Sequence, residues 1–164
     1  TNQMGIDFSD RASFDDFIPR EIHVPKGKPV RFNIRARDVI HSVYQPHFRL
    51  QMNAVPGMPT QFWFEPTKTT EEMRVETNNP DFQYELVCNK ICGQGHFAMR
   101  YIIVVEELED YNEWFKSQEP WLKQNADYLT EVPERLREVA SITVGIENEL
   151  ESNVQKGLTI SGSK

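Results

Sequence analysis

Both cysteines of the chain lie in one short run, together with a histidine and a methionine. Cys88 and Cys92 are four residues apart, and His96 and Met99 follow four and seven residues after Cys92. Thiolate and thioether sulfur select copper(I), and imidazole binds copper in either oxidation state. The spacing therefore predicts a soft-metal site, and the ligand types favour copper.

Other chemistry is open to two cysteines at this spacing. They could be small buried side chains, or they could form a disulfide in an oxidising compartment. Zinc favours Cys and His without a thioether, usually in two Cys-x-x-Cys pairs, which the chain lacks. A mononuclear blue-copper centre needs one thiolate, two imidazoles and a weak axial Met. Because a second thiolate is present, the cysteines could instead bridge two copper ions, which requires a second histidine from elsewhere in the chain.

Three histidines are candidates for that second imidazole. His23 lies in a predicted strand, where it suits an ordinary core or surface role. His47 follows a proline and is a plausible ligand. His41 is preferred because it ends a predicted strand within the cluster formed by residues 38–42.

Short strands must position these residues. About seven of them, separated by Pro and Gly turns, are predicted before Glu106, which is typical of an antiparallel sandwich or barrel. Trp63 lies in an alternating strand and is predicted to be a core residue. The predicted strands include residues 20–24, 30–36, 48–52, 61–65, 73–76, 82–87 and 100–105.

The pattern changes after the last predicted strand. Apolar residues then recur at helical spacing, first from Leu108 to Phe115 and again from Leu136 to Leu150, with Pro133 near the first turn of the second stripe. We predict an irregular lead-in over residues 1–16, a β domain over 17–107, a helical extension over 108–156 and a frayed tail over 157–164.

Length and composition place bounds on function. A chain of 164 residues is expected to form one main domain. No apolar run approaches the roughly 20 residues that span a bilayer, and the first residues do not form a signal peptide. The net charge of -7 opposes non-specific nucleic-acid binding. It suits attraction of a basic protein, although such a charge is also common among solubilised domains.

Three motifs, in this order and spacing, resemble the periplasmic domain of cytochrome c oxidase subunit II with its dinuclear CuA centre. They are Asp38-Val39-Ile40-His41-Ser42, Val55-Pro56-Gly57, and Cys88-x-x-x-Cys92-Gly93-x-x-His96-x-x-Met99. The resemblance runs from about Phe17 to Glu106. It implies a mainly β, cupredoxin-like Greek-key barrel or sandwich, here with a C-terminal helical extension.

The resemblance also implies a ligand set for two copper ions. Cys88 and Cys92 would bridge both ions, and His41 and Met99 would complete one of them. His96 and the backbone carbonyl of Lys90 would complete the other. The implied function is electron transfer from a periplasmic cytochrome c, or an equivalent carrier, to the haem-bearing subunit I of a terminal oxidase at the periplasmic face of the bacterial inner membrane.

The chain departs from the family at three positions near the implied contact with subunit I. Lys90 stands where a glutamate commonly binds magnesium, and an ammonium group cannot bind that ion, so no magnesium is expected. Gln51 and Asn53 stand where a lysine and an aspartate are usual. The membrane helices and the aromatic segment that precede the family domain are also absent from this sequence, which suggests a soluble fragment or a processed form joined to the membrane through other segments.

Two other functions remain open from the sequence. One is the CuA domain of a nitrous oxide or nitric oxide reductase, which shares the cysteine loop. The other is a copper carrier or chaperone, which would expose its ligands and would need neither the second histidine nor a barrel.

Overall fold

Residues 5–146, which this computed structural model describes, group into two compact units. The β unit is Pro19–Lys116, and the helical unit joins the residues up to Ile18 to those from Ser117 onward. All the predicted metal ligands lie in the β unit. No helix among the described residues is long and apolar enough to cross a bilayer.

Two sheets build the β unit. The larger has the strand order β1-β7-β6-β3-β4, in which β1 runs parallel to β7 and the other neighbours are antiparallel. The smaller pairs β2 with β5 antiparallel. This mainly β arrangement confirms the predicted fold class. The strands are β1 (Ile22–Pro25), β2 (Val30–Ile34), β3 (His41–Gln45), β4 (Leu50–Ala54), β5 (Thr60–Phe64), β6 (Tyr84–Val87) and β7 (Arg100–Glu106).

The core of the β unit is centred on β7. Ile103 and Val105 are almost completely buried, and they pack with Val24, Phe82 and Tyr84. Successive side chains of a strand point to opposite faces, so these two residues of β7 enter the core together. The core thereby fixes both strands that border the cysteine loop.

The segment predicted as a strand over residues 73–76 is helical. Helix α1 spans Thr70–Thr77. Its N-terminus is closed by a capping box in which the Thr69 side chain accepts from the Glu72 backbone while the Glu72 carboxylate accepts from Thr69. Such reciprocal caps provide acceptors for backbone N–H groups at the helix N-terminus that have no partner within the helix. The strand prediction was wrong because it ignored this cap and weighed the side chains of a four-residue segment alone.

Trp63 is not a core residue. Strand β5 does alternate, but Phe62 and Phe64 take the inner side, and the Trp63 side chain is 68% exposed. Alternation separates the two faces of a strand without stating which of them meets the core. The predicted burial of Trp63 was therefore assigned to the wrong face.

Helices follow the last strand. Helix α2 (Leu108–Ser117) lies almost entirely in the β unit. The helical unit contains α3 (Trp121–Gln124), α4 (Glu134–Val144) and 3-10 turns at Arg11–Ser13 and Ala126–Glu131. Its core includes Phe8 and Phe14, so part of the predicted lead-in packs with residues of α3 and α4. Helix α4 ends where Gly145 adopts a left-handed conformation (φ 72°) that favours glycine. Leu150 and the predicted frayed tail lie outside the described residues.

Candidate metal centre

The loop from Cys88 to Met99 is closed at its base by the ladder between β6 and β7. Val87 pairs with Arg100, and the backbone N–H of Cys88 donates to the Met99 carbonyl at 3.1 Å. Within the loop, Gly93 has φ 136°, a conformation that L side chains rarely adopt, and a 3-10 turn spans His96–Ala98. The two strands thus return the end of the loop to its beginning.

This closure gathers the sulfur atoms with their neighbours. The Sγ atoms of Cys88 and Cys92 are 3.7 Å apart. Cys92 Sγ lies 3.4 Å from Met99 Sδ and 3.6 Å from His96 Nδ1. Cys88 Sγ lies 3.2 Å from the carbonyl oxygen of Lys90. The loop alone therefore brings together five of the six predicted ligands.

His41 joins the cluster from another part of the sheet. His41 begins β3 and does not end a strand, so that part of the prediction was wrong. Strand β3 pairs with β6 next to the loop, and the candidate ligand atoms of His41, Cys88 and Cys92 all lie within 4.8 Å of one another. Asp38 Oδ1 lies 2.8 Å from His41 Nε2. Nδ1 of His41 is buried and has no hydrogen-bond partner among the described residues. A buried, unpartnered ring nitrogen beside two thiols fits a soft metal ion, because buried polar atoms are otherwise satisfied.

The two other candidate histidines have different partners. His23 Nδ1 lies 2.7 Å from a Glu106 carboxylate oxygen, and its ring stacks on Trp114 with centroids 4.1 Å apart. His47 meets Phe82 edge-on at 4.9 Å. Neither residue belongs to the group of His41, Cys88 and Cys92 that could hold a metal ion.

The two thiols differ in acidity. Burial raises the pKa of Cys88, but hydrogen bonds with the backbone of Lys90 and Ser42, and with the side chains of His96 and Cys92, outweigh it and lower that pKa to about 6. Burial and the hydrogen bond with Cys88 raise the pKa of Cys92. Near neutral pH the two thiols of the metal-free protein therefore share one proton, which lies mainly on Cys92. Cys88 is then the thiolate that a metal needs.

Asp38 and Ser42 contribute to the site although neither was predicted as a functional residue. The Asp38 hydrogen bond raises the pKa of His41 and engages one of its two ring nitrogens. Ser42 is buried and supplies a backbone hydrogen bond to Cys88. A carboxylate three residues before a candidate ligand was the signal available in the sequence.

A cavity of about 710 Å³ opens beside the cluster. His41, Cys88 and Met99 line it, together with apolar side chains that include Phe32 of β2 and Leu86 of β6. Polar residues, among them Asn33, Arg35 and Arg100, line it as well, so its walls are of mixed polarity.

Comparison with known proteins gives concordant matches. The family model described as cytochrome c oxidase subunit II, periplasmic domain, matches residues 15–108. The alternative cytochrome c oxidase subunit 2 of Bradyrhizobium diazoefficiens is 35% identical over 119 residues, which cover 71% of this chain and 39% of that protein. Cytochrome c oxidase subunit 2 of Thermostichus vulcanus is 40% identical over 97 residues, covering 59% of this chain and 26% of that protein.

A solved structure agrees with the fold. The crystal structure of the periplasmic domain of subunit II of cytochrome oxidase from Bradyrhizobium japonicum is similar with a TM-score of 0.50 and 27% identity, covering 60% of this chain and 63% of that one. This similarity confirms the predicted cupredoxin-like Greek-key fold. The chain spans well under half the length of the two curated relatives.

Proposed function

This chain belongs to the family of cytochrome c oxidase subunit II periplasmic domains, and from that premise we propose that it transfers electrons through a dinuclear copper centre. The donor is a cytochrome c or an equivalent carrier, and the acceptor is the haem-bearing subunit I of a terminal oxidase. The observation that carries the proposal is the meeting of His41 with both cysteines within 4.8 Å. The chain itself makes and breaks no substrate bond.

The contacts of each side chain support the proposed ligand roles. Cys88 and Cys92, with sulfur atoms 3.7 Å apart, supply two bridging thiolates. His41 supplies Nδ1, because Asp38 engages its other ring nitrogen. Met99 adds a thioether on the Cys92 side of the cluster. His96 and the Lys90 carbonyl provide the remaining imidazole and oxygen ligands.

When bound by Cys88, Cys92 and His41, copper would supply a one-electron carrier. The protein keeps the ligand positions fixed through the β6–β7 ladder, the buried core around Ile103 and the Asp38 contact to His41. Fixed ligands limit rearrangement when the electron arrives or leaves. The half-buried cysteines favour an electron-transfer site over a copper carrier, whose ligands must be open to transfer.

The side of the site next to Lys90 is proposed to hold no magnesium. Lys90 is exposed, and its ammonium replaces the carboxylate that a hard cation would require. On strand β4 the Gln51 amide donates to Ser42 Oγ at 2.7 Å and to Asn53 Oδ1 at 3.0 Å. These neutral contacts replace the charged pair expected in the family. We propose that the domain lies at the periplasmic face of the inner membrane and meets subunit I through this surface, where Gln51 and Asn53 are neutral and Lys90 supplies a positive charge.

Spectra of the copper-loaded protein test the proposal. Two coppers per chain with one delocalised unpaired electron are expected by metal analysis and electron paramagnetic resonance. Cys88→Ser and Cys92→Ser should each abolish that signal, because each removes a bridge. A single localised copper, or a colourless copper(I) adduct, would refute the dinuclear centre and favour a carrier. Electron transfer to purified oxidase subunit I, set against the same assay with nitrous oxide or nitric oxide reductase, then identifies the acceptor.

A further inference from the structure

The negative charge of the chain is not concentrated on the β unit. Between Pro19 and Lys116 there are twelve Lys or Arg residues and thirteen Asp or Glu residues, so this unit carries a net charge of -1 out of the total of -7. The overall charge therefore says little about the surface that surrounds the metal centre. The distribution within the β unit decides which partner it attracts.

Arginine dominates the outward face of the small sheet. Along β2 the inner side holds Val30, Phe32 and Ile34, and the exposed side holds Arg31 and Asn33. Arg35 follows and is also exposed. Residues 30–37 and 60–64 contain no carboxylate. Neither Arg31 nor Arg35 is engaged in any ion pair found among residues 5–146.

An exposed aromatic side chain completes this face. Trp63 of β5 is directly opposite Arg31 in the antiparallel register, and Gln61 is opposite Asn33. Trp63 is 68% exposed. Tryptophan and arginine are the residue types that contribute most often to binding energy in protein interfaces. Their pairing on a sheet free of carboxylates is suited to a protein surface that presents acidic groups.

The same face reaches the metal centre. Arg35 and Arg100 line the cavity that His41, Cys88 and Met99 also line. Of the nearby carboxylates, Asp38 contacts His41 and Glu85 pairs with Arg100, and Glu65 lies exposed two residues after Trp63. Arg31 and Arg35 outnumber Glu65 among the exposed charged residues of β2, β5 and their immediate neighbours, so the balance of charge on this face is positive.

We propose that the outward face of β2 and β5 is the docking surface for an acidic electron-carrier protein. The inference rests on the proposed electron-transfer function and names the charge of the donor. In the productive encounter, one electron leaves the reduced haem iron of an acidic c-type cytochrome, which becomes iron(III), and reduces the oxidised copper pair. Arginine steers the approach, and Trp63 supplies the apolar contact at the point of docking.

Stopped-flow reduction of the copper-loaded full chain tests this proposal. The probes are two reduced c-type cytochromes, one of net negative and one of net positive charge. The acidic cytochrome should react faster at low ionic strength, with a rate constant that falls as salt is added. Arg35→Glu should slow it about tenfold at low salt. Arg49→Glu, an equal charge change beyond the opposite end of β3, is the matched control and should change the rate less than about twofold.

A binding measurement separates docking from redox activity. Amide chemical shifts of the metal-free protein, titrated with the oxidised acidic cytochrome, should change mainly in β2 and β5, and Trp63→Ala should weaken binding about tenfold.

A faster reaction with the basic cytochrome, or equal slowing by Arg35→Glu and Arg49→Glu, would overturn the inference. So would a loss of binding to phosphatidylglycerol vesicles in Arg35→Glu with unchanged cytochrome kinetics, which would assign the face to a membrane surface. Copper spectra recorded first show whether the dinuclear centre itself has formed, so failure of that proposal is distinguished.

Discussion

Asp38 Oδ1 lies 2.8 Å from Nε2 of His41, and this contact selects the ring nitrogen that the histidine turns toward the cysteines. The other nitrogen, Nδ1, is buried without a hydrogen-bond partner in the described part of the chain. Partners of metal-binding histidines fix ring orientation and tautomer, and their loss lowers metal affinity. The carboxylate is therefore a positioning residue for the proposed copper site.

Asp38→Ala should weaken copper retention about 10- to 100-fold, because the His41 ring loses its orientation. The measurement is a competition titration with a copper chelator at a constant pH of 8. Asp81→Ala removes a carboxylate from an exposed turn and should leave retention unchanged. Equal retention in Asp38→Ala and the unmodified chain would show that β3 alone orients the ring.

The two thiols should differ in reactivity in the metal-free protein. The pKa of Cys88 is lowered to about 6 and that of Cys92 is raised, so at pH 7 the thiolate is mainly on Cys88. Iodoacetamide should modify Cys88 at least about tenfold faster, as measured by peptide mass spectrometry. In Cys88→Ser the hydrogen bond and negative charge that help to raise the pKa of Cys92 are lost. Cys92 should then react faster at pH 8 than in the unmodified chain, and preferential labelling of Cys92 in the unmodified protein would contradict the assignment.

Met99→Leu should keep both coppers and raise the reduction potential. The apolar leucine side chain lowers the polarity beside the centre, and this disfavours the more highly charged oxidised state. Spectra establish that the centre has formed, and a redox titration measures the potential. His47→Ala is the matched control, because His47 contacts the rings of Phe82 and Tyr84 and lies outside the cysteine cluster. Loss of the centre in His47→Ala, or an unchanged potential in Met99→Leu, would count against these roles.

The cysteine loop was predictable because its ligands are close in sequence. Cys88, Cys92, His96 and Met99 lie on one loop whose two ends are joined by adjacent strands, so local spacing nearly specifies their proximity. The contribution of His41 depends on the pairing of β3 with β6, which spacing does not reveal. The resemblance to a known family, rather than the pattern alone, gave this residue its ligand role.

The structural features that sequence reasoning missed depend on long-range packing, on a local helix cap, or on which face of a strand meets the core. Phe8 and Phe14 are buried against residues more than a hundred positions later in the chain, so the lead-in showed no periodic signal. The alternation of β5 around Trp63 was predicted correctly, but the inner and outer faces of the strand were exchanged. Helix α1 depends on a two-residue cap that outweighs the strand-like appearance of residues 73–76.

Tyr84 should make the stability of the β unit sensitive to alkaline pH. It is buried, and its hydroxyl donates to the Lys68 carbonyl at 3.1 Å. Burial, followed by the charges of Glu72 and Glu76, raises the pKa of Tyr84 above its ordinary value near 10. The folded state therefore holds the phenol proton more tightly than the unfolded state. The stabilisation is complete below pH 10 and is lost as the pH rises through the folded pKa.

Tyr84→Phe should lower the free energy of unfolding of the metal-free protein by about 1 kcal/mol at pH 7, because the Lys68 carbonyl loses its donor. The difference between Tyr84→Phe and the unmodified chain should shrink above pH 10, where ionisation of the unfolded state removes the advantage of the tyrosine. Urea denaturation at a series of pH values measures both effects. Tyr101→Phe, at an exposed position of β7, should change stability by less than about 0.5 kcal/mol at every pH. A pH-independent difference for Tyr84→Phe would show that the phenol keeps an ordinary pKa in the folded protein.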